Sequence, residues 1–297
     1  MKKLLLIDGN AIMHRAYHAY PTLTNPKGEY VSIVYGFFTM LFLVLAEQKP
    51  DYLAVCFDRP KPTFRQSMYV GYHAHRTELP EDFVPQIALL HEQLEIMGVQ
   101  IFELDGYEAD DLIGTISVKA KEAGVETLIV TGDRDILQLV NGQEKVLMPL
   151  TGITKTALFG EAEVEEKYGV KPSQFVDYKA LIGDASDGYP GVAGIGPKTA
   201  AKLISEYGTF ENLYQHIGDL PEKVGLKLAT DAEQAALAQK LATIMKDVPF
   251  QFDLKKCACS SFDIKALRKS FKEHEFKSLL TRLDAMFGKE EEQLELL

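Results

Sequence analysis

Val125-Glu126-Thr127-Leu128-Ile129-Val130-Thr131 runs straight into Gly132-Asp133-Arg134-Asp135. An apolar, β-branched run closed by glycine and aspartate reads as a buried strand ending in a turn. The same pattern occurs twice more: Lys3 to Ile7 ends in Asp8, and Tyr52 to Phe57 ends in Asp58. Helical patterns lie between them, at about Val31 to Ala46, Phe83 to Met97 and Ala109 to Ala123. Continuous apolar strands alternating with helices predict a mainly parallel sheet covered on both faces. Strands of such a sheet share a carboxyl edge, where α/β sheets build their sites. Asp8, Asp58, Asp133 and Asp135 are therefore expected to converge. Aspartate also ends strands as a plain turn or cap residue; three strands of three make the two readings comparable before any other motif is weighed.

The 297 residues suffice for one large domain or two modest ones. With 43 acidic against 32 basic side chains, the net charge is −11. That balance argues against a basic nucleic-acid coat protein, so any nucleic-acid contact must come from local basic patches. Three cysteines, Cys56, Cys257 and Cys259, form no disulfide or zinc framework and fit a reducing compartment. The apolar run before Asp8 is too short for a signal peptide. Val31 to Ala46, interrupted by Ser32, Gly36 and Thr39, is too short for a membrane span. A cytoplasmic protein with no membrane partner is expected.

Beyond residue 170 the texture changes to short helices punctuated by Gly and Pro, with helices expected at Gln174 to Ile182, Thr199 to Tyr207, Ala232 to Lys246 and Ile264 to Phe287. This predicts a small all-helical second domain, followed by an acidic tail at 289–297.

Two further acidic motifs stand out. Gly106-Tyr107-Glu108-Ala109-Asp110-Asp111 opens a helix; carboxylates there suit the helix dipole, but three within four residues exceed what capping needs. Gly183-Asp184-Ala185-Ser186-Asp187-Gly188 places two aspartates three apart, on one face if the segment is a helical turn. Together there are nine candidate carboxylates: Asp8, Asp58, Glu108, Asp110, Asp111, Asp133, Asp135, Asp184 and Asp187. Each like-charge pair at about 4 Å costs on the order of 1 kcal/mol in water and about 4 at an effective dielectric of 20. Such a cluster calls for cations. Oxygen-only ligands suit Mg²⁺ or Mn²⁺ rather than Zn²⁺, and two such ions can drive phosphodiester hydrolysis.

Gly191-Val192-Ala193-Gly194-Ile195-Gly196-Pro197-Lys198-Thr199-Ala200 reads as a hairpin between helices. Its glycines permit close backbone approach, and the N–H groups of the following helix, with Lys198 and Thr199 beside them, can hold a phosphate. A nucleotide-binding P-loop is disfavoured because Pro197 precedes the lysine and a helix precedes the loop. Residues 59–76 hold Arg59, Lys61, Arg65 and Arg76 with no acidic residue, interleaved with Phe64, Tyr69 and Tyr72. This is the composition of a single-strand-binding surface, or of a solvated loop with some core aromatics.

At this point the chain resembles the 5′-nuclease family. The likeness is greatest to the 5′→3′ exonuclease domain at the N-terminus of bacterial DNA polymerase I and its stand-alone relatives, and more distant to flap endonucleases. It runs from about Lys3 to Phe287 and is carried by Leu6 to Asn10, Phe57-Asp58, Thr63 to Arg65, Gly106 to Asp111, Thr131 to Asp135, Gly183 to Asp187 and Pro190 to Ala200. The resemblance implies a three-layer, PIN-like α/β nuclease core over 1–172 with a helical arch at about 59–100, and a helix-hairpin-helix domain over 173–288. It implies 5′→3′ exonuclease and 5′-flap cleavage in replication and repair. Asp8, Asp58, Glu108 and Asp110, with Asp111 close by, match a first metal cluster; Asp133, Asp135, Asp184 and Asp187 match a second. Arg15, Arg65 and Arg76 match phosphate contacts, and Gly194, Gly196 and Lys198 match the hairpin, where a monovalent cation is also expected. The implied partners are DNA with a 5′ flap or 5′ end, RNA-primed ends included, bound by a monomer.

Three departures from the family pattern are visible. Tyr72-His73-Ala74-His75-Arg76 has His73 where the family has a catalytic lysine, Pro60 stands where another lysine is usual, and Gly188 replaces an asparagine. His73 is expected to take over the lysine's role. A catalytically silent junction-binding protein is the alternative; retention of all nine carboxylates argues against it. The acidic tail points to a stand-alone protein rather than the front of a polymerase.

Overall fold

The computed structural model describes residues 1–20, 23–75 and 78–288. Arg76 and the acidic tail lie outside the described residues. In chain order the elements are β1 (Lys3–Asp8), α1 (Gly9–Ala19), α2 (Ser32–Gln48), β2 (Tyr52–Cys56), α3 (Phe64–Met68), α4 (Val84–Met97), β3 (Gln100–Phe102), α5 (Ala109–Glu122), β4 (Glu126–Val130), β5 (Glu144–Thr151), β6 (Lys155–Phe159) and α6 (Glu161–Tyr168). The chain continues with α7 (Phe175–Ile182), a two-residue hairpin of β7 (Gly183–Asp184) and β8 (Tyr189–Pro190), α8 (Pro197–Tyr207), α9 (Phe210–Gln215), α10 (Glu222–Thr230), α11 (Ala232–Ala242), α12 (Ile264–Glu273) and α13 (Lys277–Phe287).

Six strands form one sheet in the order β3-β2-β1-β4-β5-β6. All neighbours are parallel except β5 and β6. Side chains alternate across a strand, and here both faces are buried. Leu4, Leu6, Ala54 and Ile129 enter one core, shared with α5, α7 and α8. Leu5, Ile7, Leu53, Val55, Leu128 and Val130 enter the other, shared with α1, α2 and α4. That is why the strands read as unbroken apolar runs. Three strands of this sheet escaped the sequence reading. β3 is only three residues long, and β5 and β6 form an edge hairpin whose pairing is broken near Pro149. Helix α1 was also missed, because its own sequence is only weakly apolar and its position is set by burial against α2.

Two expectations change. The segment Ile264 to Phe287 is not one helix: Glu275 adopts a left-handed backbone, with φ 57°, and splits it into α12 and α13. α12 packs on α4, with Phe271 edge-on to Phe38 of α2, and α13 packs on α2, so these helices belong with the core shared by α1, α2 and α4 rather than with the helical region around the hairpin. Likewise, of the 59–100 span expected as an arch, α4 is a core helix with Leu90, Leu94 and Met97 fully buried. Among the described residues before it, Arg65, Tyr72 and His73 reach the acidic residues at the carboxyl edge of the sheet. Among the described residues, no helix is long and apolar enough to cross a membrane.

Gly36 sets the spacing of α1 and α2, since a Cβ there would fall 2.9 Å from the Ala16 Cα and 2.5 Å from its Cβ. Overpacked cores lose about 1–3 kcal/mol. Gly36→Leu is therefore expected to lower stability by that amount in denaturant unfolding; an unchanged midpoint would mean that the helices separate freely.

Candidate metal centre

The carboxyl edge of the sheet gathers the acidic side chains as expected. Asp8 ends β1 and is 4% exposed. Its Oδ1 accepts the Ala11 N–H at 2.9 Å, capping α1, and its Oδ2 accepts the Thr131 hydroxyl at 2.6 Å. Asp58, just past β2, accepts the Ala109 N–H at 2.7 Å and so caps α5. Glu108 begins that helix and Asp110 lies in its first turn. Both aspartates thus serve as caps while lying at the carboxyl edge of the sheet.

Burial dominates the electrostatics. It pushes the Asp8 carboxyl up to about 7, against hydrogen bonds from Ala11 and Thr131 and with the charges of Asp58 and Asp133 adding to the rise. Asp110 lies well above the ordinary carboxylate range, first from burial and then from Asp133, Asp8 and Asp58. Glu108 is also raised by burial. These groups share one field, and without added positive charge they hold protons that isolated carboxylates would release.

The second group lies beside the first. One oxygen each of Asp135, Asp184 and Asp187 falls within 4.8 Å of the other two. Asp133 accepts the Asp135 N–H at 2.8 Å, and burial raises its carboxyl, with Asp187 and Asp184 adding to the rise. Asp135 is pushed up to about 7 by burial, against the attraction of Lys179. Asp184 goes the other way: although burial opposes it, Lys179 and Ser186 hold its carboxyl below the usual value. The Asp184–Asp187 segment is a single helical turn, with the Gly188 N–H donating to the Asp184 carbonyl at 3.0 Å, set at the tip of a short hairpin. Gly183 pairs with Pro190 and Asp184 with Tyr189, so the two aspartates are brought together by a tight hairpin.

Two residues missed by the sequence reading organise this centre. Thr131 donates to Asp8 and accepts the Asp133 N–H at 2.9 Å, tying the two carboxylate groups together through one hydroxyl. Lys179, on α7, places its ammonium 2.7 Å from Asp135 Oδ1 and against Asp184 Oδ2. The signal for Lys179 was its place five residues before Asp184; for Thr131, its place beside Gly132-Asp133. A buried tyrosine hydroxyl, that of Tyr189, has no hydrogen-bond partner among the described residues and lies in the field of Asp135, Asp184 and Asp187. Oxygen-only donors, raised carboxyls and an orphaned hydroxyl fit a centre completed by hard divalent cations.

Asp111 does not join the cluster. It is fully buried, and both its oxygens face the Arg65 guanidinium at 2.8 Å while accepting from the Met245 and Glu108 backbone N–H groups. Arg65 is correspondingly no phosphate contact here. It is 2% exposed, pairs with Glu108 at 3.0 Å, and donates to the Leu241 and Thr243 carbonyls. Tyr72, expected to stack on bases, is buried and donates to Glu108 at 3.1 Å. Phe64 packs against the Arg65 guanidinium. Lys61 is exposed and pairs with Asp105, and Arg15 donates to the Gly152 carbonyl at 2.8 Å.

His73 does reach the centre. Its Nε2 lies 3.1 Å from Asp187 Oδ1, and its N–H donates to the Asp187 carbonyl at 2.8 Å. Gly188 lies beside it: with φ +82°, a Cβ there would fall 2.7 Å from the Gly71 carbonyl oxygen. Two of the three departures from the family pattern therefore meet in space.

A cleft of about 540 Å³, lined by Asp133, Arg134, Lys179, Asp184 and Pro197 among others, joins the second group to the start of α8. There Gly194 has φ +73°, Gly196 caps the helix, and Lys198 and Thr199 are exposed in its first turn. The Gly194 carbonyl accepts from the Lys227 ammonium at 2.9 Å.

The Arg65–Asp111 pair joins α3, α5 and the end of α11. Removing one partner of such a buried pair costs about 3–5 kcal/mol. Arg65→Met is expected to lose that much in denaturant unfolding, and Arg65→Lys to recover only part of it, because one ammonium cannot replace a bidentate fork. Full recovery by lysine would show that charge alone matters.

The chain matches two family models: "5′-3′ exonuclease, N-terminal resolvase-like domain" over residues 3–169 and "5′-3′ exonuclease, C-terminal SAM fold" over residues 170–265. It is 40% identical over 294 residues to DNA polymerase I of Bacillus caldotenax, covering 99% of this chain and 34% of that protein. It is 40% identical to the thermostable DNA polymerase I of Thermus filiformis over 97% of this chain and 34% of that one. The chain thus spans about a third of the length of these relatives. Among solved structures, the T5 5′-exonuclease with zinc ions bound superposes with a TM-score of 0.70 at 19% identity, covering 96% of this chain and 99% of that one. The catalytic core of Rad2 in complex with a DNA substrate gives 0.58 at 17%, covering 95% and 92%. These structures share the fold: a mostly parallel PIN-like sheet with helices, continued by a helical SAM-like region. The chain belongs to the 5′–3′ exonuclease family.

Proposed function

We propose that this chain is a structure-specific 5′ nuclease, cleaving DNA at 5′ ends and 5′-flap junctions in replication and repair, with two or more divalent cations held at the sheet edge. The observation that carries this reading is the pair of carboxylate groups joined through Thr131 and opening by a cleft towards an exposed helix N-terminus. A purely binding protein would gain nothing from charges that raise one another's proton affinity in this way.

Asp8, Asp58, Glu108 and Asp110 would hold one ion; Asp133, Asp135, Asp184 and Asp187 would hold another. Mg²⁺ fits the all-oxygen donors, with Mn²⁺ a substitute. Bound there, the ions would supply an activated water and neutralise charge on the scissile phosphodiester. The chain's own residues do the positioning. Thr131 fixes the Asp8 rotamer, and the Ala109 N–H fixes Asp58. Lys198 and the N–H groups of α8 take a duplex phosphate, at a distance from the carboxylates set by the cleft. His73 lies beside Asp187 and takes the lysine's place at the reacting phosphate. The division into a nuclease core over 1–172 and a DNA-gripping helical region over 173–288, with α12 and α13 returning to the core, follows from these roles. RNA-primed 5′ ends, a monomeric state and a cytoplasmic location belong to the same reading.

Asp110→Asn is expected to abolish Mg²⁺-dependent cleavage of an end-labelled 5′-flap duplex while flap binding survives or tightens. Loss of binding and cleavage together in a folded variant would count against the assignment. Lys198→Ala is expected to weaken binding of duplexes of any sequence and to reduce the slope of log K against log salt by about one. An unchanged slope would place Lys198 away from the backbone.

A further inference from the structure

The second carboxylate group already contains a cation. The Lys179 side chain is 8% exposed, and its ammonium touches Asp135 and Asp184, two of the three residues that form the tightest group of acidic oxygens. An ion bound by those residues would need the same lone pairs. The backbone of α7 is fixed by packing against α11 and α8, so the ammonium can leave only by a side-chain swing. Space for that swing exists. Lys179 lines the 540 Å³ cleft together with Tyr168 and Tyr178. The Tyr168 hydroxyl is buried and has no hydrogen-bond partner among the described residues, so it is available to accept from a displaced ammonium.

We propose that Lys179 is an internal competitor for the second metal position: it holds Asp135 and Asp184 together in the ion-free protein and swings towards Tyr168 when a divalent ion is taken up there. This rests on reading the Asp135–Asp184–Asp187 group as a metal site. One consequence is that the two metal positions fill in order. The first group has one cation contact, the Arg65 guanidinium at Glu108, which Asp111 also holds; no such contact reaches Asp8, Asp58 or Asp110 among the described residues, so this group loads at low ion concentration, whereas the second must displace a tethered charge.

Mn²⁺ titration of the full chain, with free ion counted by electron paramagnetic resonance, tests this. Wild type is expected to show a tight and a weak class, and Asp184→Asn to lose the weak one. Lys179→Met removes a positive charge in contact with the site and is expected to tighten the weak class by roughly tenfold or more, leaving the tight class as it was. Lys179→Arg, which keeps the charge, stays weak. Tyr168→Phe leaves every charge in place and removes only the acceptor; it is expected to weaken the second class several-fold. A weak class unchanged or weakened in Lys179→Met would overturn the competition, and one unchanged in Tyr168→Phe would overturn the swing. If Asp184→Asn binds as many ions as wild type, the metal reading of this group fails and the proposal with it, an outcome told apart from the others by the ion count. Should Lys179→Met fold only with Mn²⁺ present, the Tyr168→Phe titration decides.

Discussion

Mutual repulsion among carboxylates at one edge of one sheet is the constraint around which the rest of this structure is arranged. Parallel strands deliver their C-terminal aspartates to the same place, and burial then removes the water that would screen them. The fold answers in several ways at once. Hydrogen-bond donors from two helix starts and from Thr131 take individual oxygens. Lys179 neutralises part of the second group. What these cannot offset is expressed as carboxyls such as Asp8 and Asp135 raised to about 7. The remaining imbalance is what divalent ions would offset under the proposed function.

Arg65 shows how finely the acidic residues are sorted. Asp110 and Asp111 are adjacent in sequence on the first turn of α5, yet helix geometry points them in different directions. Asp110 faces the sheet edge; Asp111 turns into the protein and is fully engaged by Arg65 and two backbone N–H groups. The same guanidinium reaches the carbonyls of Leu241 and Thr243, so α3 and the end of α11 are anchored to the helix that carries Glu108 and Asp110. A buried pair of this kind is a rigid reference point: breaking it leaves an uncompensated charge in a dry environment.

The segment around His73 and the Asp184–Asp187 hairpin form a second coupled unit. His73 has a left-handed backbone with φ 57°, donates to the Asp187 carbonyl and stacks on Tyr72, which in turn donates to Glu108. Contact therefore runs from one carboxylate group to the other through the covering segment. Gly188 is part of this arrangement, because a side chain there would strike the Gly71 carbonyl. Histidine for lysine and glycine for asparagine are two substitutions in sequence and one local packing solution in space.

The sequence alone determined the kind of sheet, the edge at which the site forms and the chemistry of its donors. These follow from local patterns: unbroken apolar runs require two buried faces, and each run ends in aspartate. The hairpin before Lys198 was legible for the same reason, since Gly194 permits a left-handed turn and Pro197 restricts the first turn of α8, both locally. Tertiary structure decided which of these residues touch. Arg65 and Tyr72 read as exposed nucleic-acid contacts because a basic or aromatic residue in a loop carries no mark of burial; only the approach of α5 and α11 shows that they are enclosed. Asp111 could not be told from Asp110 without knowing which way α5 faces. The single long helix expected at Ile264 to Phe287 broke because Phe276 is drawn back onto the sheet layer, a contact between positions far apart in the chain. Lys179 and Thr131 carried only their nearness in sequence to acidic residues: their significance lies in the distance to Asp8, Asp135 and Asp184, and such distances are set by packing between elements rather than by any local preference.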